Sequence, residues 1–509
     1  MIRVRRKPHP FDNEMNILEY LRENGIKMQA PCGGRGVCGK CRVRINGADP
    51  VKACMTEYRP GMSIEVDDEG DMEILADGGI LTYEREDNGR YGIAIDTGTT
   101  TIAGVLCDTG SGKVLARKTL INPNTAYGSD VISRIRAAGD GKAADMGEDL
   151  RKTIETIVLK LVQATKAGGI TIENQSKAID IIAISGNTTM IHILMGWNPE
   201  NLGIYPYKPF STDIVSGDIQ SVLQIKTDDI RNSQCVIFPG NSAYIGGDIV
   251  SGLYYCFEDV ISEDITAFID LGTNGEMALV TGNGLFAASS AAGPVFEGAG
   301  LSCGTGSLSG AIDHVFIDSS GRADCTTIGN AGRIAGICGS GALDIASGMY
   351  GTGLCDLHGT FREDEAFRVA EYSDGRPVLF TQEDMRQVQL GKAAIAAGFE
   401  ILCRRAGVAS RDITKVFLAG GMGYSLDVKS AVNIGLLPEE LEGKIYPVGN
   451  TSLKGAVKLI TEYGRGNEGE AERFLKNLAR SIKTIDIAGD PDFQDIFISR
   501  IDFDKESEL

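Results

Sequence analysis

Apolar and polar positions alternate differently in the two parts of this chain. Residues 17–24, ILEYLREN, carry an apolar stripe at helical spacing and predict a short helix. Residues 42–45 alternate as a strand, Asn46-Gly47 is a hairpin signal, and residues 63–66 read as a short closing strand. From Tyr91 onward the apolar runs lengthen. YGIAIDTGTTTIAGVLCDTGSGKVLARKTL predicts three successive strands, about residues 92–96, 101–107 and 113–119. The turn Asp96-Thr97-Gly98-Thr99-Thr100 joins the first two. About 174 residues later the design returns in AFIDLGTNGE, residues 267–276, followed by strands near 277–281 and 285–288. Strand, Asp, Gly-Thr turn and strand therefore occur twice. The repeat predicts two homologous lobes facing a common cleft, about residues 91–260 and 261–465.

Further elements punctuate this second part. VFLAGGMG, residues 416–423, is an apolar strand running into a glycine turn, with a helix start near Asp427. GICGSG, residues 336–341, is a glycine turn opening a helix. Gly246-Gly247-Asp248 lies in a helix-like stretch after a strand at 236–238. Residues 470–485 read as a helix, and the acidic tail DFDKESEL as solvated. His192, in the apolar helix TMIHILMGW, is expected as a satisfied core histidine, and Trp197 as packing.

Composition narrows the classes. A chain of 509 residues suggests about three units and buries a core large enough to need no staples. A net charge of −19 argues against nucleic acid as a partner. Glycine, at 65 residues, is in excess and indicates tight turns and ligand loops. No apolar run reaches 18 residues, so no membrane span is expected. The start MIRVRRKPHP is basic but no apolar stretch follows, so a cytoplasmic protein with reduced thiols is expected. Charge is uneven: residues 1–44 hold ten basic and four acidic side chains, residues 45–90 four and twelve. Residues 67–90 read as an acidic linker. Such a tether lets a small N-terminal domain, residues 1–66, swing relative to a larger one, residues 91–509 with a C-terminal helical extension.

Twelve cysteines divide the chain further. Four fall together: Cys32, Cys38, Cys41 and Cys54, spaced C-x5-C-x2-C-x12-C. A disulfide framework is out of place in a large chain expected to stay in the cytoplasm. Zinc remains an alternative, although zinc sites favour two CxxC-like knuckles. Three thiols crowding a glycine-rich loop suit a [2Fe-2S] cluster, whose sulfides need backbone N–H donors close by. Gly33, Gly34, Gly36 and Gly39 permit that approach. Residues 1–66 resemble the α+β, β-grasp fold of plant-type [2Fe-2S] ferredoxins, with a first gap of five residues where the plant-type run has four. The other eight cysteines lack paired spacing and read mostly as buried thiols.

The two hairpins suit a nucleotide. Glycine turns bare N–H groups, threonine hydroxyls add donors to phosphate oxygens, and an Asp at a strand end can hold Mg²⁺ through water. No Walker A loop and no dinucleotide GxGxxG is present. With the VFLAGG turn, the hairpins resemble the α/β, two-lobed superfamily of acetate and sugar kinases, heat-shock-70 chaperones and actin, over about residues 91–465. The resemblance implies that Asp96, Thr99, Thr100, Asp270, Gly272 and Thr273, with Asn274 beside them, contact the phosphates of ATP or Mg²⁺. It implies that Gly420 and Gly421 contact adenosine. The catalytic acid does not map cleanly, and Glu276 and Asp248 are both candidates.

The whole order of motifs is more specific. The cysteine domain, then DTGTTT, SGNTTMIHILMG (residues 185–196), DLGTNGE, AAGPVFEGAG (residues 291–300) and GICGSG resemble the reductive activators of corrinoid proteins. The resemblance implies an ATP-hydrolysing redox activator that passes one electron from a [2Fe-2S] cluster to a Co(II) corrinoid on a methyltransferase partner, giving Co(I). It implies an upstream low-potential electron donor and leaves a homodimer open. Members often carry a further small domain after the ferredoxin; here about 24 residues, 67–90, separate the two parts. The small-residue stretch 287–300, read as a flat loop, either lies over the corrin, with Ser289 or Ser290 offering an oxygen to cobalt, or packs as a tight loop under the cleft. The alternatives are another ATP-driven low-potential electron-transfer activator, or a sugar-kinase-like phosphotransferase with a regulatory cluster.

Overall fold

The structure is a computed structural model describing residues 2–4, 15–23, 41–47, 50–59, 62–66, 89–128, 130–167, 179–225, 227, 230, 232–256, 264–362, 365–421 and 426–503. Near the N-terminus a four-stranded antiparallel sheet runs in the order Ile2–Val4, Ile64–Val66, Arg42–Ile45, Val51–Lys52. Asn46 and Gly47, at φ 51° and 76°, make the left-handed turn that the Asn-Gly signal implies. The helix Ile17–Glu23 starts at a reciprocal cap: Asn16 Oδ1 accepts from the Glu19 N–H, and Glu19 Oε2 from the Asn16 N–H. Its apolar face, Ile17, Leu18 and Leu21, is buried with Val43, Ala53 and Ile64.

The larger part is built on two six-stranded sheets. The first has the order Val114–Ile121, Thr101–Asp108, Tyr91–Thr97, Ile179–Gly186, Gln234–Ile237, Val215–Asp218. The second has the order Ile445–Gly449, Ile413–Ala419, Ile265–Leu271, Gly275–Thr281, Gly284–Ser290, Ile482–Thr484. In each, a three-strand antiparallel meander continues into parallel neighbours. The repeat read in the sequence is thus a repeat of topology, with Asp96 and Asp270 at matching places near the ends of their strands.

Three apolar layers hold this part together. One packs the helices Ala143–Ala167 and Thr188–Met195 on the first sheet, and one packs Gln382–Ala406 and Gly339–Gly351 against the second. The middle layer joins Ala94, Ala103 and Ile181 of the first sheet to Phe268, Ala278 and Phe417 of the second. The helices Gly247–Cys256 and Thr451–Gly464 cross within it. They approach closely at Gly455, where a Cβ would stand 2.1 Å from the Ser251 carbonyl oxygen.

Two expectations change. The segment 470–485 is the helix Glu468–Ser481 followed by the strand Ile482–Thr484, which adds to the second sheet in parallel with Gly284–Ser290. The distant sheet edge overrides a helical pattern that runs on past Ser481. The stretch 287–300 is not one loop, because its first four residues complete the strand Gly284–Ser290. Among the described residues no helix is long and apolar enough to cross a membrane. The linker read at 67–90 lies outside the described residues up to residue 88, as does the tail 504–509.

Candidate functional site: a phosphate cleft and a buried thiol pair

The thiol pair sits in the small domain. Cys41 precedes the strand Arg42–Ile45, and Cys54 lies in the short turn Ala53–Met55. The Ala53 N–H donates to the Cys41 carbonyl oxygen at 2.7 Å, which holds the two segments together. Both thiols are buried, not joined in a disulfide, and their Sγ atoms are 3.2 Å apart. Two soft sulfur donors side by side in an apolar pocket fit neighbouring ligands of an iron–sulfur cluster. Cys32, Cys38 and the glycines Gly33, Gly34, Gly36 and Gly39 lie outside the described residues.

The cleft is built from the two hairpins and the elements that brace them. Asp96, near the end of Tyr91–Thr97, accepts from Asn450 Nδ2 and Ser452 Oγ, each at 2.7 Å. Ser452 Oγ also meets Ser185 Oγ at 3.0 Å. Asn450 caps the crossing helix Thr451–Gly464 through the Leu453 N–H. Thr99 accepts on its hydroxyl from Asn187 Nδ2 at 3.1 Å, and Asn187 itself caps Thr188–Met195. The Thr99 carbonyl accepts from Arg134 Nη2 at 2.5 Å. Arg134 is fully buried and also donates to the Gly128 carbonyl. Burial pulls its pKa down to about 10, against the opposing pull of Glu297 and Asp130.

One side chain touches both hairpins. Glu297 Oε1 accepts from the Thr273 N–H at 3.0 Å, and its Oε2 accepts from the Thr100 hydroxyl. It stands in the short helical turn Pro294–Glu297. The Thr273 hydroxyl is buried and has no hydrogen-bond partner among the described residues. An orphaned donor at the tip of a glycine hairpin fits an incoming phosphate oxygen. Gly420, at φ 99°, lies against Asp270: a Cβ there would stand 2.5 Å from the Leu271 carbonyl oxygen and 2.8 Å from Asp270 Oδ1. Gly421 is exposed, with none of the described residues within 4 Å of where its Cβ would be, a bare backbone on which a flat base can lie.

Four more carboxyl groups crowd this region beside Glu297. Burial, with some repulsion from Asp96, pushes Asp248 up to about 7. Burial and then Asp248, Asp96 and Glu297 push Asp270 up to about 8. Glu276 is raised well above the usual carboxylate range by burial and then by Asp248 and Asp270. Burial raises Asp96 too, opposed by the bonds from Ser452 and Asn450. Among the described residues no three acidic, His or Cys side chains converge to ligate one ion directly. Carboxyl groups gathered in one cleft suit a hydrated divalent cation, because Mg²⁺ keeps much of its water.

The structure therefore brings together Asp96, Asp248, Asp270, Glu276, Thr99, Thr100, Gly272, Thr273, Asn274, Gly420 and Gly421. It treats Ser289 and Ser290 differently. Both end a strand; Ser290 is buried and donates to the Ala394 carbonyl at 2.7 Å, while Ser289 faces Glu276 Oε1 at 3.4 Å. Ser290 is thus turned into the packing under the cleft. Sequence reasoning passed over Glu297, Asn187, Asn450, Ser452 and Arg134. Asn187 and Asn450 each had a signal, an Asn just before an apolar helical run. His192 is the satisfied core histidine expected: Nδ1 meets the Thr188 carbonyl at 2.7 Å, and Nε2 accepts from the Phe210 N–H at 3.0 Å.

Two sheets of one topology, each presenting an Asp and a Gly-Thr hairpin to the other, define an actin-like ATPase fold, here preceded by a β-grasp ferredoxin domain. Three family models span the chain. The 2Fe-2S iron-sulfur cluster binding domain matches residues 2–75, the RACo middle region 91–257, and the C-terminal ASKHA domain of RACo 264–508. The chain is 31% identical to the corrinoid activation enzyme RamQ of Eubacterium limosum, across 80% of this chain and 69% of that protein. It is 24% identical to a Methanosarcina barkeri reductase of a Co(II) methylated amine-specific corrinoid protein, across 74% of this chain and 71% of that one. The solved structure of a reductive activator for corrinoid, iron-sulfur protein superposes with a TM-score of 0.71 at 27% identity, over 96% of this chain and 95% of that one. The chain belongs to the family of reductive activators of corrinoid proteins. Its N-terminal domain is a [2Fe-2S] cluster domain and its larger part a nucleotide-binding one.

Proposed function

We propose that this chain uses ATP to pass one electron from its [2Fe-2S] cluster to a Co(II) corrinoid carried by a methyltransferase partner, giving Co(I). Cys32, Cys38, Cys41 and Cys54 would hold the cluster, which an upstream low-potential donor reduces. The observation that carries the reading is a cluster domain joined to a cleft whose two hairpins meet on a single carboxylate, Glu297. A one-electron carrier and a phosphate clamp on one chain are needed together when the transfer is uphill. Plant-type clusters sit near about −400 mV, and each ~59 mV of shortfall is tenfold in the equilibrium. Closing two lobes on a nucleotide supplies energy that can change the acceptor's surroundings. Asp96, Asp248, Asp270 and Glu276 would hold the water shell of Mg²⁺; Thr99, Thr100, Gly272, Thr273 and Asn274 would take the phosphates. Gly420 and Gly421 would take the adenosine.

The test is anaerobic. The chemically reduced protein is mixed with a Co(II) corrinoid methyltransferase protein, and absorption spectra are recorded with and without Mg-ATP. The Co(I) spectrum should form only with ATP. Cys54→Ser should abolish it while nucleotide binding persists. Absence of Co(I) with several corrinoid proteins, cluster and ATP binding being intact, would move the acceptor to another class.

A further inference from the structure

We propose that Glu297 is the catalytic residue that orients and deprotonates the attacking water in ATP hydrolysis. The inference rests on reading the cleft as an ATP site. Its ground is position. Glu297 bonds both hairpin tips, through the Thr273 N–H at 3.0 Å and the Thr100 hydroxyl. Those hairpin donors are the ones a terminal phosphate between the lobes would claim. When they turn to phosphate oxygens, the carboxylate is left beside the terminal phosphate with both lone-pair edges free to hold a water.

The other acidic groups are less suited. Asp96 already accepts from Asn450 and Ser452. Asp248, Asp270 and Glu276 belong to the group fitted to a hydrated cation. The placement of Glu297 is also rigid. Val295 and Phe296, which precede it in the turn, are buried, and the Gly298 and Ala299 N–H groups close the turn onto the Val295 and Pro294 carbonyls at 2.9 and 3.0 Å. The buried Arg134, bonded to the Thr99 carbonyl behind the first hairpin, offsets the charge of a carboxylate set next to phosphate.

In the step, the water oxygen forms a bond to the terminal phosphorus as the bond to the bridging oxygen of the diphosphate breaks. ADP leaves with that oxygen. The proton of the water passes to the Glu297 carboxylate and from there to solvent as inorganic phosphate departs. Loss of a positioned base typically lowers a rate by about 10²–10⁴.

The test uses the full-length protein and Glu297→Gln, which keeps size and hydrogen-bonding reach but cannot take the proton. ATP binding is measured by calorimetry, and phosphate release is followed with the Co(II) corrinoid protein present. Retained ATP affinity, within about threefold, with hydrolysis down about a hundredfold or more supports the assignment. ATP binding with near-parental hydrolysis overturns it and leaves the cleft reading intact. Loss of ATP affinity in step with hydrolysis also overturns it, since Glu297 is then a structural tie between hairpins. Failure of the parent protein to bind ATP overturns the cleft reading, and this inference with it.

Discussion

Gly420 and Gly421 are chain neighbours with opposite surroundings, so the same substitution should give opposite results. At Gly420 the backbone is at φ 99°, and an added Cβ would stand 2.5 Å from the Leu271 carbonyl oxygen and 2.8 Å from Asp270 Oδ1. Forcing an L side chain into left-handed backbone costs about 1–2 kcal/mol. Overpacking a filled site costs about 1–3 kcal/mol more. Gly420→Ala should therefore destabilise the second lobe by about 2–5 kcal/mol. At roughly 2–4 °C per kcal/mol for a unit of this size, the midpoint of thermal unfolding drops by about 4–20 °C. Because the intruding carbon meets Asp270, the displaced carboxylate should also weaken Mg-ATP binding. At Gly421 none of the described residues lies within 4 Å of the new carbon. Gly421→Ala should leave stability within about 0.5 kcal/mol of the parent. Its methyl group stands where the adenine would lie, so ATP affinity should fall about tenfold, equivalent to about 1.4 kcal/mol. Differential scanning calorimetry without nucleotide, and ATP titration of each variant, separate the two effects. A Gly420→Ala protein as stable as the parent refutes the packing argument. A Gly421→Ala protein with unchanged ATP affinity refutes the assignment of this turn to adenosine.

Two more expectations follow from the carboxylates. Asp248 and Asp270 hold protons in the folded chain up to about pH 7 and about pH 8, whereas ordinary aspartates ionise near 3.8. Between those values the folded state binds more protons than the unfolded one. Stability without nucleotide should thus fall as pH rises from about 4 to about 8, by at most ~1.4 kcal/mol per pH unit per group, and level off above. Denaturation midpoints across that range test this, and Asp270→Asn should flatten the slope; a midpoint that rises with pH over the upper half would contradict it. Asn450→Ala removes a helix cap and a bond to Asp96, together about 2–4 kcal/mol. Asn450→Asp keeps the cap but sets carboxylate against carboxylate, and should hold the helix while losing Mg-ATP affinity. A cost below about 1 kcal/mol for the alanine variant would show that Asp96 finds another donor.

What the sequence showed and hid divides along chain distance. The hairpins were legible because strand, Asp and glycine turn are contiguous, and because they recur. The small domain was legible for the same reason, with Asn46-Gly47 fixing its turn. Glu297 was hidden. It sits in a quoted motif, yet its partners Thr273 and Thr100 lie 24 and 197 residues away, and nothing local marks that reach. Asn450 and Ser452 reach Asp96 across 354 and 356 residues. Their local signal, a helix start, says only that a helix begins. The strand Ile482–Thr484 follows the same rule: three residues pair because an edge made by Gly284–Ser290 is waiting for them. Ser290 stayed open in the sequence for the converse reason: a small polar residue beside glycines fits a ligand loop or a packed one, and only its burial places it under the cleft.

The crossing helix Thr451–Gly464 has a consequence for how such a chain comes off the ribosome. The first sheet is synthesised by residue 237, but the helix that covers Ala94, Ala103 and Ile181 on its inner face arrives more than two hundred residues later. So do the side chains that engage Asp96. During that interval the nascent first lobe carries an apolar face covered in part by Gly247–Cys256, and an unbraced acid. Order of synthesis and order of folding must therefore diverge. A fragment ending near residue 257 should need a chaperone, or the missing helix supplied as a separate peptide, to stay in solution.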